Sequence, residues 1–223
     1  MKIKFFLISK AVNYSEIIKF LETQVNLRIE EKICDSIYLL EHESVYTAGR
    51  SFDKSEILDP NIRIIKTNRG GKITYHGPGQ RIIYPIISLD NKFYNKDLHK
   101  FIFSMEQWII NSLAQILVQA YKLENYVGIW TKYQYKDAKI ASLGFRVKKW
   151  TIYHGISLNV EDKIENFSKI MPCGIKDLSI TSIKKLGISI DYPELDQIFI
   201  SQFQCLFPFY TKLEQTICTN LLL

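Results

Sequence analysis

The chain has 223 residues, 47% hydrophobic and 23% charged, with four cysteines and a formal charge of +6. That length supports one well-buried domain, and no linker, low-complexity tract or repeat marks a second, so residues 1–223 are expected to form a single domain. No run approaches the roughly 18 apolar residues of a membrane span, and the dispersed basic residues match no nucleic-acid module.

Met1 to Lys10 carries an apolar run too short for a signal peptide and broken by Lys10, so it reads as a first strand in a soluble, cytoplasmic protein. Asn13 can cap a helix whose apolar positions include Ile17, Ile18, Phe20, Leu21, Val25 and Ile29. Ile37 to Leu40, Ile62 to Ile65 and Arg81 to Leu89 read as strands. Asp97 can cap a long helix with one apolar stripe: Leu98, Phe101, Ile102, Met105, Ile109, Ile116, Leu117 and Ala120. That stripe is expected to be core and not ligand site. Ile140 to Val147 and Ile152 to Val160 read as strands joined through Lys148-Lys149-Trp150, and a last helix runs from Pro193 to Phe207. Strands and helices mix without strict alternation. The fold class is therefore α/β, a single domain with a mixed sheet flanked by helices.

Arg69-Gly70-Gly71-Lys72-Ile73-Thr74-Tyr75-His76-Gly77-Pro78-Gly79-Gln80 is the densest signal in the chain. Gly70-Gly71 permits close approach of backbone to a ligand or positive φ, Lys72 to Tyr75 can be a short strand, and Gly77-Pro78-Gly79 must turn tightly. Taken alone it reads as a glycine-rich hairpin with a structural histidine. Cys34, Cys173, Cys205 and Cys218 form no CxxC, zinc or disulfide pattern. Cys205, among Phe203, Leu206 and Phe207, is expected in the core, and Cys34 and Cys218 are expected to be inert. Cys173, between Pro172 and Gly174, sits where a loop presents a thiol. His154 is expected to be structural, while His42 and His99 carry no functional signal.

The glycine-rich stretch resembles the hallmark of the lipoyl(octanoyl) transferases, RGG-x-x-T-x-H-G-P-G-Q followed by a Tyr-containing apolar strand. Two further blocks match in order: Lys139-Ile140-Ala141-Ser142-Leu143-Gly144 with Tyr153 to Val160, and Pro172-Cys173-Gly174. Glu41-His42 with Val45 to Arg50 is a weaker match, so the resemblance runs from Tyr38 to Ile183. It implies the catalytic fold of the biotin and lipoyl protein ligases over residues 30–210. It also implies transfer of an octanoyl or lipoyl group from acyl carrier protein to a lysine of a lipoyl domain. Cys173 would carry the acyl group as a thioester. Lys139 would lie against it, lower the thiol's pKa and move protons, and His76 is a candidate to assist. Substrate contacts carry over to Arg69, Gly70, Gly71, Lys72, Ile73, Thr74, Tyr75 and His76, to Ser142, Leu143 and Gly144, and to Gly155, Ile156 and Ser157.

Acyl transfer needs a nucleophile that attacks readily and leaves readily. A free thiol is only a few per cent thiolate near neutrality, and a cation in close contact supplies the missing stabilisation. Thioester exchange is close to balanced and amide formation runs downhill, so neither ATP nor metal is expected. The net positive charge favours acidic protein partners over nucleic acid. From the resemblance these are octanoyl-acyl carrier protein as donor, with lipoyl domains of 2-oxoacid dehydrogenase complexes and the glycine cleavage H protein as acceptors. Lys148, Lys149 and Lys176 are expected at the docking mouth. The run Ile175-Lys176-Asp177-Leu178 departs from the family in its charge. The rivals are an ATP-dependent lipoate or biotin protein ligase, which would show a three-glycine run and H-D-x-G-N, and a non-catalytic binder of acyl carriers or lipoyl domains. A Cys/His hydrolase lacks its His-Asp pair here.

Overall fold

The computed structural model describes residues 1–175 and 178–219. Its strands are β1 (Lys2–Val12), β2 (Asp35–His42), β3 (Val45–Ala48), β4 (Ile64–Lys66), β5 (Ile73–His76), β6 (Gln80–Ser88), β7 (Ala120–Leu123), β8 (Tyr126–Tyr133), β9 (Lys136–Lys148), β10 (Thr151–Asn159) and β11 (Lys212–Cys218). Its helices are α1 (Tyr14–Ile29), α2 (Leu98–Ala114) and α3 (Tyr192–Leu206). The main sheet is ordered β11-β1-β2-β6-β10-β9-β8-β7, and a small one β4-β3-β5. In the main sheet β1 is parallel to both β11 and β2, with α1 as crossover to β2, and the other pairs are antiparallel; in the small sheet β3 is parallel to β4 and antiparallel to β5.

Both faces of the central strands are covered, which explains their unbroken apolar runs. Ile37, Leu39, Ile83 and Ile87 meet Phe101, Met105 and Trp108 of α2 and Phe199 and Phe203 of α3. The alternate positions Tyr38, Leu40, Ile82 and Tyr84 meet Ile17, Leu21 and Val25 of α1. Asn13 and Asp97 cap α1 and α2, accepting from Ser15 N and Lys100 N. Among the described residues no helix is long and apolar enough to cross a membrane.

Two expectations change. α2 ends at Ala114, not beyond Ala120: Leu117 turns left-handed (φ 61°) and Val118 N bonds back to Leu113 O at 3.0 Å, a helix-closing arrangement. Leu117 is thereby exposed, and Ala120 opens β7. Cys205 is exposed too, because it lies two residues, about 200° of helix, from the buried Phe203.

Candidate active site

β9 outruns its neighbour. β8 pairs with it only as far as Ala141, leaving Ser142 to Lys148 without a β8 partner. The glycine-rich loop crosses that free edge, Gly70 N donating to Phe145 O at 3.2 Å. The loop feeds β5, and the turn that follows closes with Gln80 N on Gly77 O at 3.2 Å. Between the loop, β5, β6, β9, β10 and the start of α2 lies a cavity of about 560 Å³.

Lys139 and Cys173, 34 residues apart, meet at this cavity: Lys139 Nζ donates to Cys173 Sγ at 2.9 Å. Lys139 is only 3% exposed, and among the described residues it has no carboxylate partner. Its backbone is pinned by the segment that follows the cysteine, Lys139 N bonding Ser179 O (2.8 Å) and Thr181 N bonding Lys139 O (3.0 Å). Cys173 is half-buried and holds a left-handed φ of 58°, an uncommon backbone for a non-glycine residue. Gly174 follows at φ 66°, and a Cβ there would stand 2.5 Å from Lys72 Nζ. Lys72 in turn donates to the buried carboxylate of Glu56 at 2.6 Å. That carboxylate also accepts from Ile73 N (3.2 Å), while Glu56 O accepts from Met171 N (2.7 Å). Glu56 thus joins β5 to the cysteine loop.

The substrate contacts implied by the resemblance all line the cavity except Tyr75. Successive residues of a strand face opposite ways, so Thr74 and His76 face the cavity while Tyr75 packs behind β5. There its ring meets Tyr46 and Phe167, and its hydroxyl lies 3.0 Å from Ser44 Oγ. His76 borders the cavity with Nδ1 3.3 Å from Gln80 Oε1 and its ring stacked on Tyr14 at 6.1 Å. Burial, then the neighbouring His42 and Arg69, hold its pKa well below the ordinary histidine value. It is therefore a neutral imidazole, and the contact with the thiol belongs to Lys139. Arg69 is 7% exposed; Nη2 donates to Thr47 O and Oγ1, Nη1 to Gly70 O, and Nε finds no partner among the described residues.

Several cavity residues escaped the sequence reading. His154 holds φ 56°, with Nε2 2.8 Å from Asn68 Oδ1 and Nδ1 buried without a partner; burial, then Arg69 and Arg146, lower its pKa to about 3. Its place next to Gly155 in the matching block was the available signal. Tyr14 of α1, Leu98 and Ile102 of α2, and Tyr126 and Val127 of β8 also line the cavity. The α2 stripe is therefore part core and part site. No local pattern marks these residues, because each arrives through packing of a distant element. His42 lies behind His76, bonded to Val12 O and the Tyr84 hydroxyl, and His99 is exposed on α2. Lys148 and Lys149 sit at the β9–β10 turn, while Lys176, like Asp177, lies outside the described residues. No metal-ligating cluster occurs among the described residues.

A buried lysine in contact with a thiol at an apolar cavity, carried on a mixed sheet of this order, gives the fold of the lipoyl and biotin ligase catalytic domains. A bipartite lipoate protein ligase from Thermoplasma acidophilum, solved with its E2 lipoyl domain, superposes with a TM-score of 0.71 at 12% identity, covering 99% of this chain and 89% of that one. A biotin protein ligase from Aquifex aeolicus gives a TM-score of 0.51 at 12% identity, over 94% of this chain and 71% of that one. The model of the lipoyl protein ligase A/B catalytic domain matches residues 13–204. The octanoyltransferase of Rickettsia peacockii (strain Rustic) is 44% identical over 207 residues, 92% of this chain and 99% of that protein. The chain belongs to the lipoyl protein ligase A/B catalytic family and, within it, to the octanoyltransferases. It is an acyltransferase.

Proposed function

We propose that this enzyme, acting as one catalytic unit over residues 1–223 in the cytoplasm, carries an octanoyl group on Cys173 from an acyl carrier protein to a lysine of a lipoyl domain. The observation that carries this reading is the 2.9 Å contact between the buried Lys139 ammonium and Cys173 Sγ at the wall of an apolar cavity. In the first half, the Cys173 thiolate attacks the donor's thioester carbonyl. The bond to Cys173 forms, the bond to the carrier's sulfur breaks, and that sulfur leaves with a proton from Lys139. In the second, the acceptor's amine attacks the octanoyl-cysteine. The C–S bond breaks, the amine's surplus proton passes to Lys139, and the ion pair is restored. One thioester replaces another and an amide ends the sequence, so the reaction needs no ATP and no metal.

The octanoyltransferase relatives support an octanoyl donor, and the lipoyl domain accompanying the Thermoplasma ligase supports a lipoyl domain as acceptor. Cavity residues Ile82, Leu98, Ile102 and Val147 would supply an apolar path for the acyl chain, and His76, which borders the same cavity, would hydrogen-bond its carbonyl. The lysines at the β9–β10 turn would steer acidic partners.

The test is intact mass after mixing with octanoyl-carrier protein, ATP omitted. One hydroxylamine-labile octanoyl group should map to Cys173, and its transfer to a lipoyl domain should follow. An absolute need for ATP would favour the ligase reading instead. Cys173→Ala that kept full activity would overturn the covalent route.

A further inference from the structure

The acyl-transfer reading leaves β8 unexplained, although β8 lies directly beneath the lysine. Lys139 on β9 pairs across the sheet with Trp130, next to an irregularity between Ile129 and Trp130. Trp130 is 3% exposed, and Lys139 Nζ lies over its ring, 5.1 Å from the centroid. The indole N–H donates to Tyr126 O at 3.3 Å, and the Tyr126 ring meets the indole edge-on at 6.0 Å, so Tyr126 holds the tryptophan plane by two contacts. Two residues earlier, Gly128 has φ 131°. A Cβ on it would stand 2.3 Å from Lys139 Cε and 2.9 Å from Nζ, so the lysine stem lies in space that only glycine leaves open.

A lysine ammonium is a point charge on a flexible four-carbon stem. A carboxylate would hold it still, but would also compete with the sulfur for its protons. An aromatic face attracts the cation without accepting a proton, and tryptophan is the strongest such face. Among the described residues, the charged side chains that act on Cys173 include Arg69 and Lys72, and the carboxylate of Glu56 is taken up by Lys72, not Lys139. Resting on the acyl-transfer reading, we infer that Trp130 is a positioning residue for this reaction. Its indole face, with the gap left by Gly128, aims the Lys139 ammonium at Cys173 and favours return of the proton after each turnover.

The experiment compares Trp130→Leu with Trp130→Phe at equal folded fraction, using a small octanoyl thioester. Loss of the aromatic face should lower kcat about tenfold, with KM moving less than about twofold, and phenylalanine should recover most of the loss. Alkylation of Cys173 by iodoacetamide, followed by peptide mass, should fall and recover in the same order. If Trp130→Leu does not fold, tryptophans of increasing fluorination, biosynthetically incorporated, weaken the π face at nearly constant volume. The rate should then fall stepwise with fluorine number. Equal rates in the leucine and phenylalanine variants, a loss confined to KM, or a flat fluorination series would overturn the inference. Absence of an octanoyl adduct on wild-type Cys173 would sink the acyl-transfer reading instead, while the alkylation series would still report on Trp130.

Discussion

Where β1, β2 and β6 lie between α1 on one face and α2 and α3 on the other, buried charges are matched. Arg81 grips Asp196 of α3 through Nε–Oδ1 (2.8 Å) and Nη2–Oδ2 (2.5 Å). Asp35 accepts from Arg28, Ser88 N and the Tyr210 hydroxyl. Where β10 and the free half of β9 face the glycine-rich loop, partners are withheld. Tyr14 Oη, Arg69 Nε and His154 Nδ1 are buried around the cavity without a partner among the described residues. Among the described residues Lys139 Nζ meets a thiol and an aromatic face and no carboxylate, and Cys173 and His154 both hold left-handed backbone. Buried polar groups are normally satisfied. The packed side too leaves hydroxyls such as Ser36 Oγ and Tyr94 Oη without a partner among the described residues, so the contrast lies in the carboxylates, guanidinia and imidazoles. The carboxylates and guanidinia there are paired, while beside the cavity Arg69 and His154 each keep a buried nitrogen without a partner among the described residues, where a ligand could supply the contact.

The contrast breaks most directly at Lys139. Lys139→Ala should leave the thermal midpoint nearly unchanged and slow acylation of Cys173 about a hundredfold, within the usual range for general acid–base groups. Lys139→Arg should restore charge but not proton transfer. Wild-type acylation and alkylation rates in the alanine variant would remove Lys139 from the chemistry.

The opposite outcome is expected on the packed side. Asp196→Ala leaves Arg81 buried without its carboxylate and should cost about 3–5 kcal/mol of stability. Transfer per folded molecule should be unchanged. A calorimetric midpoint equal to wild type would show that the pair is not holding α3 to β6.

Acid sharpens the comparison, because the protein buries histidines, His154 with one nitrogen unpaired among the described residues and His42 with both nitrogens bonded. Burial lowers His42 to about 4 and His154 to about 3, and His76 shifts the same way. Each takes up a proton on unfolding, so their contribution is complete above about pH 6.5 and is lost as pH falls toward about 4. Unfolding free energies from denaturant titrations should drop by up to about 1.4 kcal/mol per pH unit for each histidine in that window, with the midpoint falling in step. A constant midpoint from about pH 7.5 to about pH 5 would mean these rings are not buried neutral.

The smallest effect is expected at the rim. Lys148→Glu with Lys149→Glu should raise KM for the acyl carrier several-fold, more at low salt, while sparing a small octanoyl thioester. Lys148 is partly engaged, donating to Asn26 Oδ1 at 2.7 Å, so Lys149 should dominate. Equal losses with both substrates would place the defect in the cavity.

Strand alternation, caps and turn residues carried the mixed sheet, both helix starts at Asn13 and Asp97, and the hairpin through Lys149 and Trp150. These depend on neighbours within a few positions, so the linear order reveals them. The ordered blocks around Gly70, Lys139 and Cys173 likewise marked residues that the fold brings to one cavity. Local pattern failed where the deciding contact is distant in the chain. Leu98 and Ile102 have the same spacing as the buried Phe101 and Met105, yet they border the cavity because β9 runs past β8 and leaves an opening there. Tyr75 sits inside the matching motif but turns away, since its place between Thr74 and His76, which both line the cavity, points it to the opposite face of β5. Trp130 and Gly128 look like ordinary strand and turn residues until β9 lays Lys139 across them. A sequence records which side chains a segment offers; which of them a ligand can touch depends on how far each strand extends beside its neighbour, and only the folded sheet decides that.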